Sequence, residues 1–362
     1  NLRWIGCDLE FLIEYGLFLA KVVTIVVALV VLATVLISAR QAGPQGEPGR
    51  LEVKHLNEAY DQVTKSLNQA MMSPEGQKAA QKAAKKTEKQ RLKAEKIALK
   101  RSSNEADPDA LPVSRVFVLN FDGDIEASAV SSLRQEVTAV LAVASAEDEV
   151  LLRLESAGGV VHGYGLAASQ LRRITKQGIK LTVSVDKVAA SGGYMMACIA
   201  DQIIAAPFAV LGSIGVVAQV PNFNRLLKSQ QVDVELHTAG AHKRTLTMFG
   251  ENTDEGRLKF KAELEEVHQL FKIFVSDNRP QVEIEVVATG EAWYGQRALE
   301  QQLIDEIQTS DEYLIDKMPT AAVYEIVYEI QQSKVEKLVK RFAQLTSLIP
   351  TQSRVLARHN LD

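Results

Sequence analysis

From Val113 onward, short apolar runs rich in β-branched residues alternate with segments of helical spacing, and this alternation limits the possible folds more than any other feature of the chain. Val116–Phe121, ending in Asp122-Gly123, has the length and content of a buried strand, and Val130–Ala144 has helical spacing. Val150–Leu154 and Leu181–Val185 repeat the strand pattern, Tyr164–Thr175 and Tyr194–Ala200 the helix, and Gln202–Ala205 closes the run. Such alternation builds βαβ units, hence an α/β domain with a parallel sheet covered by helices. Catalytic groups in these folds collect in loops beyond the carboxyl ends of the strands. Three glycine clusters fall there: Ser156-Ala157-Gly158-Gly159, Ser191-Gly192-Gly193 and Gly212-Ser213-Ile214-Gly215.

The whole chain of 362 residues is 46% hydrophobic and 24% charged, enough apolar material to bury a sizeable core. Its formal net charge of −4 argues against a generally basic nucleic-acid binder. Two cysteines, Cys7 and Cys198, exclude a disulfide scaffold, a multi-cysteine zinc site and a CxxC redox motif. Cys198 sits in an apolar helical stretch and reads as core, not as a nucleophile.

The ends differ from the middle. Leu17–Ile37 is apolar except for Lys21, Thr24 and Thr34, and as a helix it would span roughly 31 Å, about the thickness of a bilayer's hydrocarbon core. Its acidic leading flank (Asp8, Glu10, Glu14) and its length argue for a membrane anchor over a cleaved signal peptide. A Gly/Pro stretch over 43–49 reads as a linker, followed by a helical run over Leu51–Met72 and a new helix start at Ser73-Pro74-Glu75. Between Gly76 and Arg101 stand ten Lys or Arg against two Glu. That run suits a solvated helix or contact with anionic lipid headgroups. No aromatic residue interleaves its lysines, so nucleic acid is not expected as a partner. The expected organisation is a flank over 1–14, a transmembrane helix over 15–39 in contact with the lipid bilayer, a linker and basic helical region over 40–107, a globular domain over 108–318, and a helical tail over 319–362. A positive-inside count keeps the bulk of the chain cytoplasmic, but few of the basic residues lie close to the span, so charge alone leaves the topology open.

Two motif matches fail on geometry. Gly163-Tyr164-Gly165-Leu166-Ala167-Ala168 has the form of a dinucleotide fingerprint, but its first glycine should follow a strand directly, and another Gly-Gly intervenes after Leu154. Ser184-Val185-Asp186-Lys187 is a formal S-x-x-K, yet in a strand residues three apart point to opposite faces. Ser191 is better placed, after a strand and before a helical stretch, where amides at a helix N-terminus can hold an oxyanion. A serine there can equally be a helix cap without chemistry. As a nucleophile it needs a base. Of the six histidines, His162 and His242 remain possible partners, and none has a spacing that singles it out.

Ala189-Ala190-Ser191-Gly192-Gly193-Tyr194, preceded by Glu155-Ser156-Ala157-Gly158-Gly159 and followed by Gly212-Ser213-Ile214-Gly215-Val216, resembles the signal peptide peptidase A (S49-type) family of serine peptidases. Gly240-Ala241-His242-Lys243-Arg244 is similar to that family's lysine motif, and Ala292-Trp293-Tyr294-Gly295-Gln296 with Leu303-Ile304-Asp305 to its closing segment. The anchor, the basic linker and Met195-Met196-Ala197-Cys198 bring it closest to the SohB-type membrane peptidases. The resemblance covers about Tyr15 to Ser310, and the last ~50 residues add nothing to it. One departure is Ala157, where the family usually has proline.

The resemblance implies a ClpP/crotonase-like fold and a Ser–Lys dyad, with Ser191 as nucleophile and Lys243 as general base. A lysine side chain with an ordinary pKa of about 10.4 is protonated near neutrality and must be desolvated to act as a base. Met248 and Phe249 lie near enough in sequence to supply apolar cover. By the family pattern Ser213 would orient Lys243, and the amides of Gly159 and Gly192 would form the oxyanion hole. No cofactor or metal is implied. The implied substrates are hydrophobic peptides near the membrane, such as remnant signal peptides. The implied setting is a homo-oligomeric ring of single-pass proteins in the bacterial inner membrane, with the peptidase domain in the periplasm. A crotonase-like acyl-CoA enzyme would share the fold but use acidic residues in place of the dyad, and a catalytically silent membrane scaffold would tolerate loss of Ser191 or Lys243. Val335–Leu348 has amphipathic helical spacing that suits packing on the domain.

Overall fold

A computed structural model describes residues 15–27, 30, 49–73, 114–240 and 243–329. The chain divides into two units, one comprising residues 1–49 and 330–362, the other Arg50–Glu329. In the first unit residues 15–27 form a helix with exposed apolar side chains, among them Leu17, Phe18 and Ile25. Among the described residues no helix is long and apolar enough to cross a membrane. Residues 28–29 and 31–39 of the expected span, the basic run over 76–101 and the amphipathic segment over 335–348 lie outside the described residues.

The second unit is α/β, as the alternation predicts. Its elements begin with β1 (Arg50–His55), α1 (Leu56–Met71), β2 (Arg115–Gly123), α2 (Val130–Leu141), β3 (Glu149–Ser156) and α3 (Val161–Lys176). There follow β4 (Lys180–Val185), β5 (Val188–Ala190), α4 (Gly192–Ala197), β6 (Gln202–Ala205), β7 (Val210–Gly212), α5 (Asn224–Ser229) and α6 (Asp254–Asn278). The last are α7 (Ile284–Val287), β8 (Ala292–Tyr294), α8 (Gly295–Glu300), β9 (Glu306–Ile307), α9 (Ser310–Lys317) and β10 (Ala322–Glu329). The main path of the sheet runs β1-β10-β2-β3-β4-β6-β9, parallel except for the antiparallel β1–β10 edge.

Parallel strands packed on both faces must be apolar on both faces. In β2, Phe117, Leu119 and Phe121 join the main core with Leu133 and Val137 of α2 and Leu171 of α3. The alternate residues Val116 and Val118 join a smaller cluster on the other face with Leu151, Tyr313, Leu314 and Val323. The sheet forks at the end of β3. Leu152 and Arg153 pair with β4, whereas Ser156 pairs with Ala189 of β5, which continues to β7 and β8. Beyond the strand ends, residues of all three glycine clusters, Gly159, Ser191 with Gly192, and Gly215, line one cleft.

Two expectations are corrected. The run over Leu51–Met72 is not helical throughout: residues 50–55 form β1, because Leu51 and Val53 alternate with charged neighbours and pair with Tyr328 and Ile326. Nor is the chain after residue 318 a helical tail from its start. Residues 322–329 form β10, inserted between β1 and β2, with Val323 and Ile326 buried. The folded unit therefore extends beyond the expected 108–318 at both ends.

Candidate active site

Ser191 follows β5 directly and occupies the N-cap position of α4. Its backbone has φ 53° and ψ −117°, a conformation that L-residues rarely adopt. Three contacts hold it there. The Ser191 N–H donates to the Gly212 carbonyl at 2.7 Å, the Met195 N–H donates to the Ser191 carbonyl at 3.0 Å, and α4 behind it is buried throughout. These backbone hydrogen bonds and the burial of α4 thus hold a turn whose cost is about 1–3 kcal/mol. The hydroxyl makes no capping hydrogen bond, so the capping role open to a serine at this position is not the one it plays.

Two backbone donors face the same cleft. Gly192, in the first turn of α4, has an N–H with no intrahelical acceptor. The Gly159 N–H has no hydrogen-bond acceptor among the described residues, while its neighbour Val160 donates to Ile125 at 2.8 Å. Close approach demands glycine at these points. A Cβ on Gly158, at φ +88°, would stand 2.8 Å from the Gly192 nitrogen and from Ser191 Cβ, and a Cβ on Gly192 would stand 2.4 Å from Cγ of Tyr164. The cleft is a cavity of about 80 Å³, bounded by Gly159, Ser191 and Gly192 and by apolar Met195, Val216 and Phe271. A larger hollow of about 280 Å³ lies at Arg153, Asp186 and Lys187, where most of the charged groups pair with one another, although Arg153 Nε is buried without a partner among the described residues. There Lys187 pairs with Glu155 at 2.8 Å, Arg153 with Asp311 at 3.1 Å, and Asp186 accepts from Ser310.

The other expected residues are less closely drawn together. Lys243 is exposed on the loop between α5 and α6, and its side chain makes no hydrogen bond or ion pair among the described residues. Met248 and Phe249 are likewise exposed and do not cover it; Phe249 stacks on Phe223. Ser213, at φ 49°, directs its hydroxyl to the Gly290 carbonyl at 3.5 Å, not to Lys243. The cleft wall and the lysine loop therefore do not close on each other in a single chain. His162 is exposed, and His242 lies outside the described residues. Ser184 and Lys187 sit on and just beyond β4 with different partners, Asp186 and Glu155, as the rejection of an S-x-x-K site requires. Gly163 and Gly165 lie inside α3, not at a strand-to-helix turn. Cys198 is fully buried, and burial pushes its thiol up to about 12, which leaves it inert core.

Three further residues have a place in the site that the sequence motifs containing them do not show. Tyr164 is wholly buried, with its ring beneath Gly192, and burial raises its hydroxyl's pKa so that it stays a donor. Ser156 is buried beside it. Trp293 packs against Gly212, where a Cβ would stand 2.8 Å from the indole and where φ is +86°. Each owes its place to strands far apart in sequence. Deeper in the unit, Arg279 binds Asp305 through both guanidinium nitrogens at 3.0 and 2.8 Å, and Asp305 also accepts from the Ile203 N–H at 2.7 Å. Asp305 of the expected closing segment is thus a fastening between β6 and the chain after α6. Among the described residues, no three His, Cys, Asp or Glu side chains converge as metal ligands would.

The chain matches two family models, Peptidase family S49 N-terminal over residues 10–171 and Peptidase family S49 over residues 173–324. It is 51% identical to the "Probable protease SohB" of Haemophilus influenzae over 91% of this chain and 92% of that protein. To the "Probable protease SohB" of Buchnera aphidicola subsp. Schlechtendalia chinensis it is 47% identical, over 85% of this chain and all of that one. A solved 1510-N membrane-bound stomatin-specific protease with a bound substrate peptide aligns over 65% of this chain and all of its own, at 13% identity and a TM-score of 0.41.

Proposed function

Because the chain belongs to peptidase family S49, in its SohB-type branch, we propose that it is a membrane-anchored serine endopeptidase with Ser191 as nucleophile and Lys243 as general base. The observation that carries the reading is the state of Ser191: an uncapped hydroxyl on a strained turn, facing a cleft that two unpartnered N–H groups share. A serine kept only to cap α4 would spend its hydroxyl on the helix.

In the proposed reaction Ser191 Oγ attacks the carbonyl carbon of a peptide bond while its proton passes to neutral Lys243 Nζ. The new C–O bond gives a tetrahedral intermediate whose oxyanion accepts from the N–H groups of Gly159 and Gly192. One such donor is commonly worth about 10²–10³ in kcat. Collapse breaks the C–N bond as the Lys243 ammonium returns the proton to the leaving amine. Water then attacks the acyl-enzyme, giving its proton to Lys243, and Ser191 departs reprotonated. Ser213 would orient the lysine once assembly brings a lysine loop to the cleft.

Hydrophobic peptides near the membrane are the proposed substrates, in keeping with the apolar wall of Met195, Val216 and Phe271. The same reading holds the protein in the bacterial inner membrane through residues 15–39, with the peptidase domain in the periplasm and the ClpP/crotonase-like chain assembled into a homo-oligomeric ring. Exposed Val217, Phe249 and Leu258 supply apolar surface for such association. The test is hydrolysis of apolar fluorogenic peptides by detergent-purified protein and by folded Ser191→Ala and Lys243→Ala variants. The expected outcome is turnover in the parent and loss of at least 10³-fold in each variant. Retained turnover in either variant removes the dyad.

A further inference from the structure

We infer that Tyr164 is a positioning residue that fixes the spacing between the Gly159 and Gly192 N–H groups; this rests on the peptidase reading above and adds to it a device for holding the two donors. Those donors belong to different loops, one after β3 and one after β5, and the strands that lead into them meet only at the Ser156–Ala189 pair. Tyr164, the fourth residue of α3, reaches both. Its ring lies beneath Gly192, near enough that any Cβ there would collide with it at 2.4 Å. Its hydroxyl donates to the Asp124 carbonyl at 2.8 Å. That leaves the phenolic oxygen to accept from Ser156 Oγ at 2.5 Å, and Ser156 Oγ in turn accepts from the Gly158 N–H at 3.0 Å.

The loop fastened by the Asp124 carbonyl is the one that holds Gly159. Ile125 presses on Gly159, where a Cβ would stand 2.0 Å from its carbonyl oxygen, and the same oxygen accepts from Val160 at 2.8 Å. Gly123 belongs to this arrangement too: a Cβ there would stand 2.5 Å from both Ser156 Oγ and Tyr164 Oη. One side chain therefore sets both edges of the cleft, through its ring on one side and its hydroxyl on the other. The phenol does not face the cleft and touches no substrate. Its effect on the reaction runs through backbone geometry, and an oxyanion donor a fraction of an ångström out of place loses much of its value.

The experiment compares the detergent-purified parent with Tyr164→Phe and Ser156→Ala, using a fluorogenic apolar peptide and a peptide boronic acid whose tetrahedral serine adduct occupies the oxyanion hole. Phenylalanine keeps the ring beneath Gly192 and removes only the hydroxyl. The expected result is a fall in kcat of at least about tenfold with KM changed by no more than about twofold, and a boronic acid affinity reduced in step with kcat. Ser156→Ala, which cuts the same link at its other end, is expected to give a similar loss, and the double variant one no larger than either single. Unchanged kcat in folded Tyr164→Phe would overturn the inference, as would strictly multiplicative losses in the double variant. Should Tyr164→Phe fail to fold, Ser156→Ala decides by the same readouts. Turnover that survives in Ser191→Ala would instead remove the peptidase reading itself, so the two failures are told apart.

Discussion

Ser191 carries the strain of the site, and strain has a measurable signature. Alanine at this position keeps the unfavourable φ of 53°, whereas glycine adopts it freely. After allowance for the larger unfolded-state entropy of glycine, Ser191→Gly is expected to be more stable than Ser191→Ala by about 1 kcal/mol, or roughly 2 °C in melting temperature. Differential scanning calorimetry on the two variants checks this, and equal melting would mean the turn is not strained. At this scale the sequence was partly legible. Its place after a short strand marked Ser191, but only the fold tells a capping hydroxyl from a free one. Tyr164 was legible only as part of a false dinucleotide motif, since its role depends on Gly123, Ser156 and Gly192 meeting across the sheet.

Among elements, the strands that neighbour each other in the chain were readable from their apolar runs, and β2, β3, β4 and β6 fall where periodicity predicts. The edge was not. β1 and β10 are separated by more than 260 residues, and each becomes a strand because the other pairs with it, which no local pattern records. Their junction with α2 contains a buried carboxyl group. Glu136 Oε1 accepts from the Tyr328 N–H at 2.8 Å, Oε2 has no partner, and burial pushes the pKa up to about 7 from 4.5. A raised carboxyl pKa means that the native state holds its proton where the unfolded state has lost it. Its contribution to stability is therefore complete below about pH 4.5 and is lost as pH rises to about 7. Thermal melting of the parent is expected to fall across that window, and Glu136→Gln, which cannot ionise, is expected to flatten the fall. A slope unaffected by the substitution would place the titration elsewhere.

At the scale of the molecule, the feature that most needs company is the lysine loop. Lys243 stands exposed without a partner among the described residues, while the cleft of Ser191 is edged by bare Val217, so a single chain does not cover the proposed base. The expected state in detergent is accordingly an assembly of several 39.7 kDa chains, and its dilution to monomers is expected to abolish turnover. Analytical ultracentrifugation with activity measured across the same concentrations tests both, and a fully active monomer would refute the association. The family motif proposes Lys243 from sequence, but its surroundings cannot follow from a motif that records identity and not neighbours. Another molecular property comes from the β1–β10 edge. Arg50 opens β1, Glu329 ends β10, and in the antiparallel register the two stand opposite each other. Tension applied through these two points loads the ladder one hydrogen bond at a time from its end, as a zipper opens, and never all bonds together in shear. The folded unit should therefore yield mechanically at its rim, peeling β1 under small forces while the cleft behind β3 and β5 bears no load.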